Sequence, residues 1–434
     1  MAQAIIDELI AGTYPDPDGG PPLRVATRAV AIEKSLAGVE ADLVRPLSLG
    51  RRLAVVSDRT THAIMGARIE RALSGLAEVS SVVVPEHPHA DAETAERVRA
   101  ATSAADALVA VGSGTINDLC KYASARANKP YLVFATAPSM NGYTSLNAAI
   151  TIDGHKKSLA AQAPVGVFLD LSILAAAPPR MIRSGLGDSL CRPTAQADWL
   201  LSHLLFDRPY RRMPFVLLAK DEAALFASAD ALMKGDLIAM ERLVRTLLLS
   251  GFGTAICGNS LPASQGEHLI SHYADMLPDP RRPFSFHGEQ IGVTTLTMAR
   301  LQHALLDGAP PTVAADDSSE AAFRDRFGAS LGASCWMEFS RKRLTKEKAD
   351  ALNDRIAAAW GKMRSALQAI MLPPDMLAKI LQDANAPRTP EDLEWPGPFY
   401  EEAVRHARKI RDRYTFLDLA ADARLMDRMI PAIL

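Results

Sequence analysis

Through the first 180 positions of this chain, short apolar runs alternate with amphipathic stretches. The apolar runs are Leu53 to Val56, Val82 to Val84, Ala107 to Val111, Tyr131 to Ala135 and Val165 to Leu169. Continuous runs of this kind are expected of strands buried on both faces of a parallel sheet. Between them, Thr60 to Leu76, Asp91 to Ala104 and Thr115 to Ala127 carry apolar residues at helical spacing. The rhythm is βαβ. Valine usage marks where it stops, since 16 of the first 180 residues are valine against 5 of the last 254, and β-branched residues favour strands. Beyond Pro178-Pro179 the texture changes to Ala, Leu, Met and Arg at helical spacing, as in Asp221 to Leu249, Ile291 to Leu306, Lys346 to Ile370 and Tyr400 to Ile410. The breaks at Pro278 to Pro283, Gly308 to Pro311 and Pro387 to Pro398 are too short to separate independent cores and are expected as loops between helices. The expected fold class is an α/β N-terminal domain with a parallel sheet, followed by an all-α C-terminal domain. Residues 1–48 are expected as an N-terminal extension, irregular around Tyr14 to Pro22, with 49–178 as the α/β domain and 179–434 as the helical one.

Composition narrows the function. A chain of 434 residues, 48% hydrophobic and 23% charged, is neither disordered, collagenous nor coiled coil. Lys plus Arg (48) nearly balances Asp plus Glu (50), so no basic field exists to hold nucleic acid or an anionic membrane, and neither partner is expected. The apolar stretches are too short for a membrane span, and Met1 to Ile10, with Asp7 and Glu8, lacks the basic flank of a signal peptide. Cys120, Cys191, Cys257 and Cys335 are scattered without a CxxC pair, which suits a reducing compartment. These features favour a cytoplasmic enzyme acting on a small molecule.

Two turns at expected strand ends carry candidate chemistry. The run Gly112-Ser113-Gly114-Thr115-Ile116-Asn117-Asp118 lies between a strand and a helix, where small residues let backbone N–H groups and the helix N-terminus approach a pyrophosphate. It is not the GxGxxG fingerprint and has no Walker lysine, and a tight turn with Thr115 or Asn117 capping the helix is the plain alternative. The second turn, Thr136 to Ser145, is crowded with hydroxyl and amide groups. Neighbouring loops at the carboxyl ends of parallel strands are where open α/β sheets bind ligands. Asp58 closes an earlier strand and is placed either to accept from a ribose hydroxyl or to cap a helix.

Metal-ligand chemistry gathers in the helical part. Glu267-His268-Leu269-Ile270-Ser271-His272 places two histidines at i and i+4 on one helical face, and His287 follows, so three of ten histidines fall within twenty residues. Asp188 in Gly185-Leu186-Gly187-Asp188 is expected to open a helix, as a ligand or as an N-cap. One carboxylate and two imidazoles with an open position suit a divalent Lewis acid such as Zn²⁺ or Fe²⁺.

The order of GSGTINDLCK, TAPSMNGYTS, GLGDSL with Asp198-Trp199, GEHLISH and FHGEQIG resembles that of glycerol-1-phosphate dehydrogenases, a branch of the iron-containing alcohol dehydrogenase and dehydroquinate synthase-like superfamily. The resemblance covers roughly Leu53 to Arg300 and implies that 49–178 binds a dinucleotide and 179–434 binds metal and substrate. It also implies NAD or NADP as cofactor, one divalent metal (zinc first, nickel or iron as alternatives) and a phosphorylated hydroxyketone as substrate. By position, Asp188, His268 and His287 resemble the family's metal ligands, and Asp188, His272 and Asn141 resemble its catalytic and substrate-contacting residues. Asp58, Gly112, Gly114, Thr115, Ile116, Asn117, Asp118, Thr136, Ser139 and Ser145 would contact the nucleotide. The implied reaction is reduction of dihydroxyacetone phosphate to sn-glycerol 1-phosphate, a step of phospholipid metabolism, by a chain that is a candidate homo-oligomer.

Two residues depart from the family: Asn141 stands where Asp is usual and Arg192 where Lys is usual. A neutral amide cannot act as a charged acceptor for a substrate hydroxyl. The alternatives are therefore a related hydroxyketone as substrate, a dehydroquinate synthase-like cyclase that regenerates its NAD in place, or a non-catalytic protein that retains the fold.

Overall fold

The computed structural model describes residues 2–152, 155–277 and 282–434. The expected loop at Pro278 to Pro283 therefore lies mostly outside the described residues. Contacts divide the chain into two units, Met1–Ser189 with Arg212–Ser260, and Leu190–Arg211 with Leu261–Leu434.

The first unit is built on a parallel sheet of six strands: β1 Ala29–Glu33, β2 Arg52–Asp58, β3 Glu78–Val84, β4 Ala107–Gly112, β5 Tyr131–Ala135 and, after a hairpin, β8 Gly166–Asp170. The hairpin pairs β6 Asn147–Ile152 with β7 His155–Ala160 in antiparallel register. Across the sheet the order is β1-β8-β5-β4-β2-β3. Every residue of β4 and β5 is buried, which is why those two runs carry no polar alternation. β3 lies at an edge and buries only Val84 fully. All five expected strands are present, β5 with the expected ends and the others extended or shifted by a few residues at their ends. Chain order reverses at β2, which has β3 on one side and β4 on the other. That switch point opens a crevice at the carboxyl ends of β2 and β4, bounded by Asp58 and Gly112.

Three expectations change. First, residues 1–48 are not simply irregular, because Ala2–Ala11 is helical and β1 pairs in parallel with β8 as the edge strand beyond it. Five residues with two half-buried apolar side chains, Val30 and Ile32, left too weak a pattern to detect. Second, Asp221 to Leu249 is not one helix. Met213–Phe226 and Leu237–Cys257 are separate, split by Gly235 at φ +80° and by the cap of Asp236 Oδ1 on Ala239 N at 2.8 Å. Third, these helices belong to the sheet-bearing unit, and the boundary expected at residue 178 is crossed. Met213, Leu217, Leu249 and Phe252 pack with Ile6, Leu9, Leu23 and Val25 in one apolar cluster. Helical periodicity identifies an apolar face but not what it packs against.

The second unit is helical. Its core gathers Leu201, Ile270, Tyr273, Met298, Phe323, Phe339, Trp360, Tyr400 and Leu419, all buried. Gly266–Met276 and His287–Asp307 are the helices that carry the three histidines. Among the described residues, no helix is long and apolar enough to cross a membrane.

Asp188 does not open a helix. It sits in the last turn of Pro179–Leu190, 2% exposed. Gly185, three residues before it, has a different task, since a Cβ there would stand 1.8 Å from the carbonyl oxygen of Pro138. The helix backbone therefore rests directly on the turn after β5. Gly185→Ala should destabilise the protein by about 3 kcal/mol or more in urea unfolding, because backbone rather than a mobile side chain must move. Gly361→Ala, on an exposed helical site with nothing near its Cβ position, should instead stabilise by about 0.5–1 kcal/mol. Equal effects at the two sites would refute this packing.

Candidate active site

The turn after β4 leads into the helix Gly114–Ala127, with Ser113 at the N-cap position making no side-chain cap. The helix thus opens at Gly114, not at Thr115. The two glycines serve different ends. A Cβ on Gly112 would lie 2.6 Å from Ile116 Cβ, so Gly112 is needed for the helix to pack against the strand end. A Cβ on Gly114 would meet only the mobile end of Met140, at 3.2 Å, and the half-buried Gly114 and Thr115 leave the helix N-terminus approachable. Ile116 is fully buried.

Asn117 and Asp118 turn inward. Asn117 Nδ2 donates to Asp118 Oδ1 at 3.1 Å, the Tyr131 hydroxyl donates to Asn117 Oδ1 at 3.4 Å, and Asp118 Oδ2 accepts from Ala149 N at 3.2 Å. Asp58 closes β2 and caps the next turn, with Oδ1 accepting from Thr61 N at 2.8 Å and Thr61 Oγ1 accepting from Asp58 N at 3.0 Å. Its expected cap is present at the switch point.

The turn Thr136 to Ser145 is held from below by a side chain that motif reading passed over. Lys121, two turns into the helix after β4, is fully buried. Its ammonium donates to Gly142 O at 2.5 Å, Ser145 Oγ at 3.1 Å and Asn147 O at 3.2 Å. Burial pushes its pKa down to about 8, with Asp118 opposing. Ser145 is thus committed to the loop, its hydroxyl also bonding Gly142 O and Asn147 O. Thr136 and Ser139 are buried, Thr136 N donating to Gly112 O and Ser139 O accepting from Ser184 Oγ. Asn141 lies midway along this loop, its backbone N donating to Asp188 Oδ2 at 2.7 Å and its Nδ2 to Ser250 Oγ at 3.3 Å. Asn141 and Asp188, distant in sequence, are neighbours in this unit.

In the second unit the three histidines converge. Ring centroids are 5.1 Å apart for His268 and His287, 5.7 Å for His268 and His272, and 5.9 Å for the stacked His272 and His287. Two buried carboxylates fix the helix that carries His268 and His272. Asp198 accepts from Gly266 N at 2.9 Å, fixing the first residue of the histidine helix, and from Phe416 N at 2.8 Å. Burial and then the nearby Glu267 push the Asp198 carboxyl well above its usual range, while those N–H donors pull it down. Glu267, fully buried, accepts from Gln265 N at 2.8 Å and pairs with His268 Nδ1 at 2.9 Å. A carboxylate on Nδ1 keeps the proton there and presents Nε2 as the ligand nitrogen. Sequence alone does not mark Asp198 or Glu267 as functional, since a buried acid and a surface acid look alike there. Arg192 donates to Gln196 Oε1 at 2.9 Å.

The family model for iron-containing alcohol dehydrogenases matches residues 31–178. The glycerol-1-phosphate dehydrogenase [NAD(P)+] of Pyrococcus furiosus is 34% identical over 274 residues, covering 63% of this chain and 78% of that protein. That of Bacillus licheniformis is 30% identical over 376 residues, covering 85% of this chain and 82% of its own length. The glycerol dehydrogenase structure from Schizosaccharomyces pombe superposes with a TM-score of 0.61 at 15% identity, covering 94% of this chain and 90% of that one. The maleylacetate reductase structure from Rhizobium sp. strain MTP-10005 gives 0.58 at 17%, covering 92% and 95%. These two likenesses concern the fold.

Lys121 gives a pH test of how the loop is anchored. Its pKa is lower in the folded protein than the ordinary 10.5 of lysine. Between about pH 8 and 10 the unfolded chain therefore holds a proton that the folded one has released, and this group's contribution to stability rises with pH. The stability gap between the native protein and Lys121→Met should shift towards the native protein by about 1.4 kcal/mol per pH unit in that window. A gap independent of pH in urea titrations would show that the amine is not desolvated.

Proposed function

We propose that this chain, which belongs to the glycerol-1-phosphate dehydrogenase family and is an NAD(P)-linked dehydrogenase, reduces dihydroxyacetone phosphate or a closely related hydroxyketone. The observation that carries the reading is the histidine cluster, with Glu267 holding the Nδ1 side of His268. That donor set fits a divalent ion, zinc first and nickel or iron as alternatives, since neutral imidazoles and a carboxylate are the ligands such ions take. Asp188, His268 and His287 would hold the ion, and Gly112 to Thr115 with Asp58 would receive the NAD or NADP. When bound, the nicotinamide supplies the hydride and the ion polarises the ketone oxygen.

The chain's own residues do the rest. Glu267 keeps the proton on His268 Nδ1 and so fixes its tautomer. Asp198 anchors the start of the helix, so that His268 and His272 stay on one face, and His272 is placed to hand a proton to the product hydroxyl. The loop set by Lys121 presents Asn141 to the substrate. Asn141, with Asp188 against its backbone, gives the substrate a neutral amide, whose grip on a hydroxyl is weaker than a carboxylate's by about 1 kcal/mol.

The test is NADH and NADPH oxidation with dihydroxyacetone phosphate and a panel of ketones, in protein reloaded with Zn²⁺, Ni²⁺ or Fe²⁺. Turnover should disappear with chelator and return with metal. Consumption of reduced cofactor also separates a reductase from a cyclase, which would regenerate it. His268→Ala should lose the metal by elemental analysis, whereas Glu267→Gln should keep the fold and bind metal about 10–100-fold more weakly. Metal retained stoichiometrically by His268→Ala would overturn the ligand assignment.

Asn141→Asp should raise kcat/KM for dihydroxyacetone phosphate about tenfold, the equivalent of about 1.4 kcal/mol. A fall in the variant, together with better native activity on a substrate lacking that hydroxyl, would remove glycerol phosphate chemistry from the proposal and leave the family assignment standing.

A further inference from the structure

The proposed mechanism leaves Cys191 without a task. This residue occupies the N-cap position of the helix Arg192–Phe206, and Glu267 and His268 lie in the first turn of Gly266–Met276. All three belong to the second unit. One ligand atom from each, the Cys191 sulfur, a Glu267 carboxylate oxygen and a His268 ring nitrogen, lie within 4.8 Å of one another. The group is enclosed, with Cys191 1%, Glu267 0% and His268 5% exposed.

Two features separate this group from ordinary packing. A buried structural cysteine behaves as a small hydrophobe, whereas this thiol stands beside a carboxylate and an imidazole and makes a long contact, Sγ donating to Ala263 O at 3.8 Å. The donors are also held in place relative to one another. Thr194 Oγ1 lies 2.7 Å from Cys191 O and 3.4 Å from Glu267 Oε2, while Asp198 fixes Gly266 N at the start of the histidine helix. Glu267 Oε1 and His268 Nδ1 are 2.9 Å apart. A tetrahedral ion with bonds of about 2.1 Å to O and N and about 2.3 Å to S would place those two atoms about 3.4 Å apart and the sulfur about 3.6 Å from each. The group is therefore within roughly an ångström of that geometry.

We propose that Cys191, Glu267 and His268 form a second metal site, for a thiophilic divalent ion such as Cd²⁺ or Zn²⁺. Thiolate is the ligand that selects such ions over Mg²⁺ or Ca²⁺. His268 serves this ion through Nδ1, on the side of Glu267, and leaves Nε2 to the first. On binding, the Cys191 S–H proton and the proton on His268 Nδ1 leave to solvent, the sulfur and nitrogen lone pairs form the metal bonds, and nothing is oxidised or reduced. The Ala263 carbonyl beside the sulfur, or a water, completes the four ligands. The substrate proposed above plays no part in this site.

Equilibrium titration of the chelator-stripped full chain with Cd²⁺ tests the proposal through the thiolate-to-metal charge-transfer band in the ultraviolet, which carboxylate and imidazole ligands alone do not produce. The native protein should develop the band to saturation at one thiolate-bound ion per chain. Cys191→Ser should lose it and bind Cd²⁺ there at least tenfold more weakly, whereas Cys257→Ser, at the half-buried cysteine, should keep it. Cys191→Ser should also retain the first ion by elemental analysis when loaded with Zn²⁺. If Cys191→Ser fails to fold, X-ray absorption of the Cd²⁺-loaded Cys257→Ser chain decides, with one sulfur ligand per chain expected. No band in the native protein, a band unchanged in Cys191→Ser, no sulfur ligand, or loss of the first ion together with the band would overturn a separate site. Absence of turnover on every ketone would sink the reductase reading and leave these readouts untouched.

Discussion

A buried ammonium organises the sheet-bearing unit. Lys121 is fully enclosed, and a cation in that position is tolerable only if its donors are met. Gly142 O, Ser145 Oγ and Asn147 O meet them, the first two in the loop after β5 and the third at the start of β6. The desolvation that lowers the lysine pKa is thus offset by fixing a surface-seeking polar loop in one conformation. The rest follows from that loop. Asn141 N reaches Asp188, Thr144 reaches Leu248, and Gly251 must lack a side chain because a Cβ there would lie 2.1 Å from Thr144 Oγ1.

The helical unit uses the same logic with the opposite charge. Asp198 and Glu267 are buried acids whose oxygens accept from backbone N–H groups and from His268. They bind nothing themselves in the proposed mechanism, yet they fix where the histidine helix begins and which nitrogen His268 offers. Both units place their reactive groups on helix ends or loops and hold them with buried charge. Helical register alone would leave such positions loose by more than catalysis tolerates.

Small residues near the site are explained by contact, not by flexibility. Gly112, Gly185, Gly251 and Gly266 each stand where a Cβ would meet Ile116, the Pro138 carbonyl, Thr144 or Met298 within 2.6 Å. Gly114 is different, because its neighbour Met140 can yield. The glycine-rich appearance of the turn after β4 therefore reflects one packing requirement at Gly112 and one approachable helix end at Gly114.

The sequence by itself determined the five inner and edge strands it predicted, the loss of strand character after residue 180, and the clustering of His268, His272 and His287. Each is a local signal: a two-faced buried strand must be apolar throughout, and i, i+4 spacing fixes a helical face. Family order of motifs added the candidate ligand set. Only the tertiary structure decided that Met213–Phe226 and Leu237–Cys257 pack in the sheet-bearing unit, that Ala29–Glu33 completes the sheet, that Asp188 ends a helix rather than opening it, and that Lys121, Asp198 and Glu267 are buried and bonded. Those outcomes depend on which surface each element meets, and long-range complementarity leaves no periodic trace in a single chain. A lysine or aspartate looks solvent-bound in sequence until its partners, brought from distant positions, enclose it.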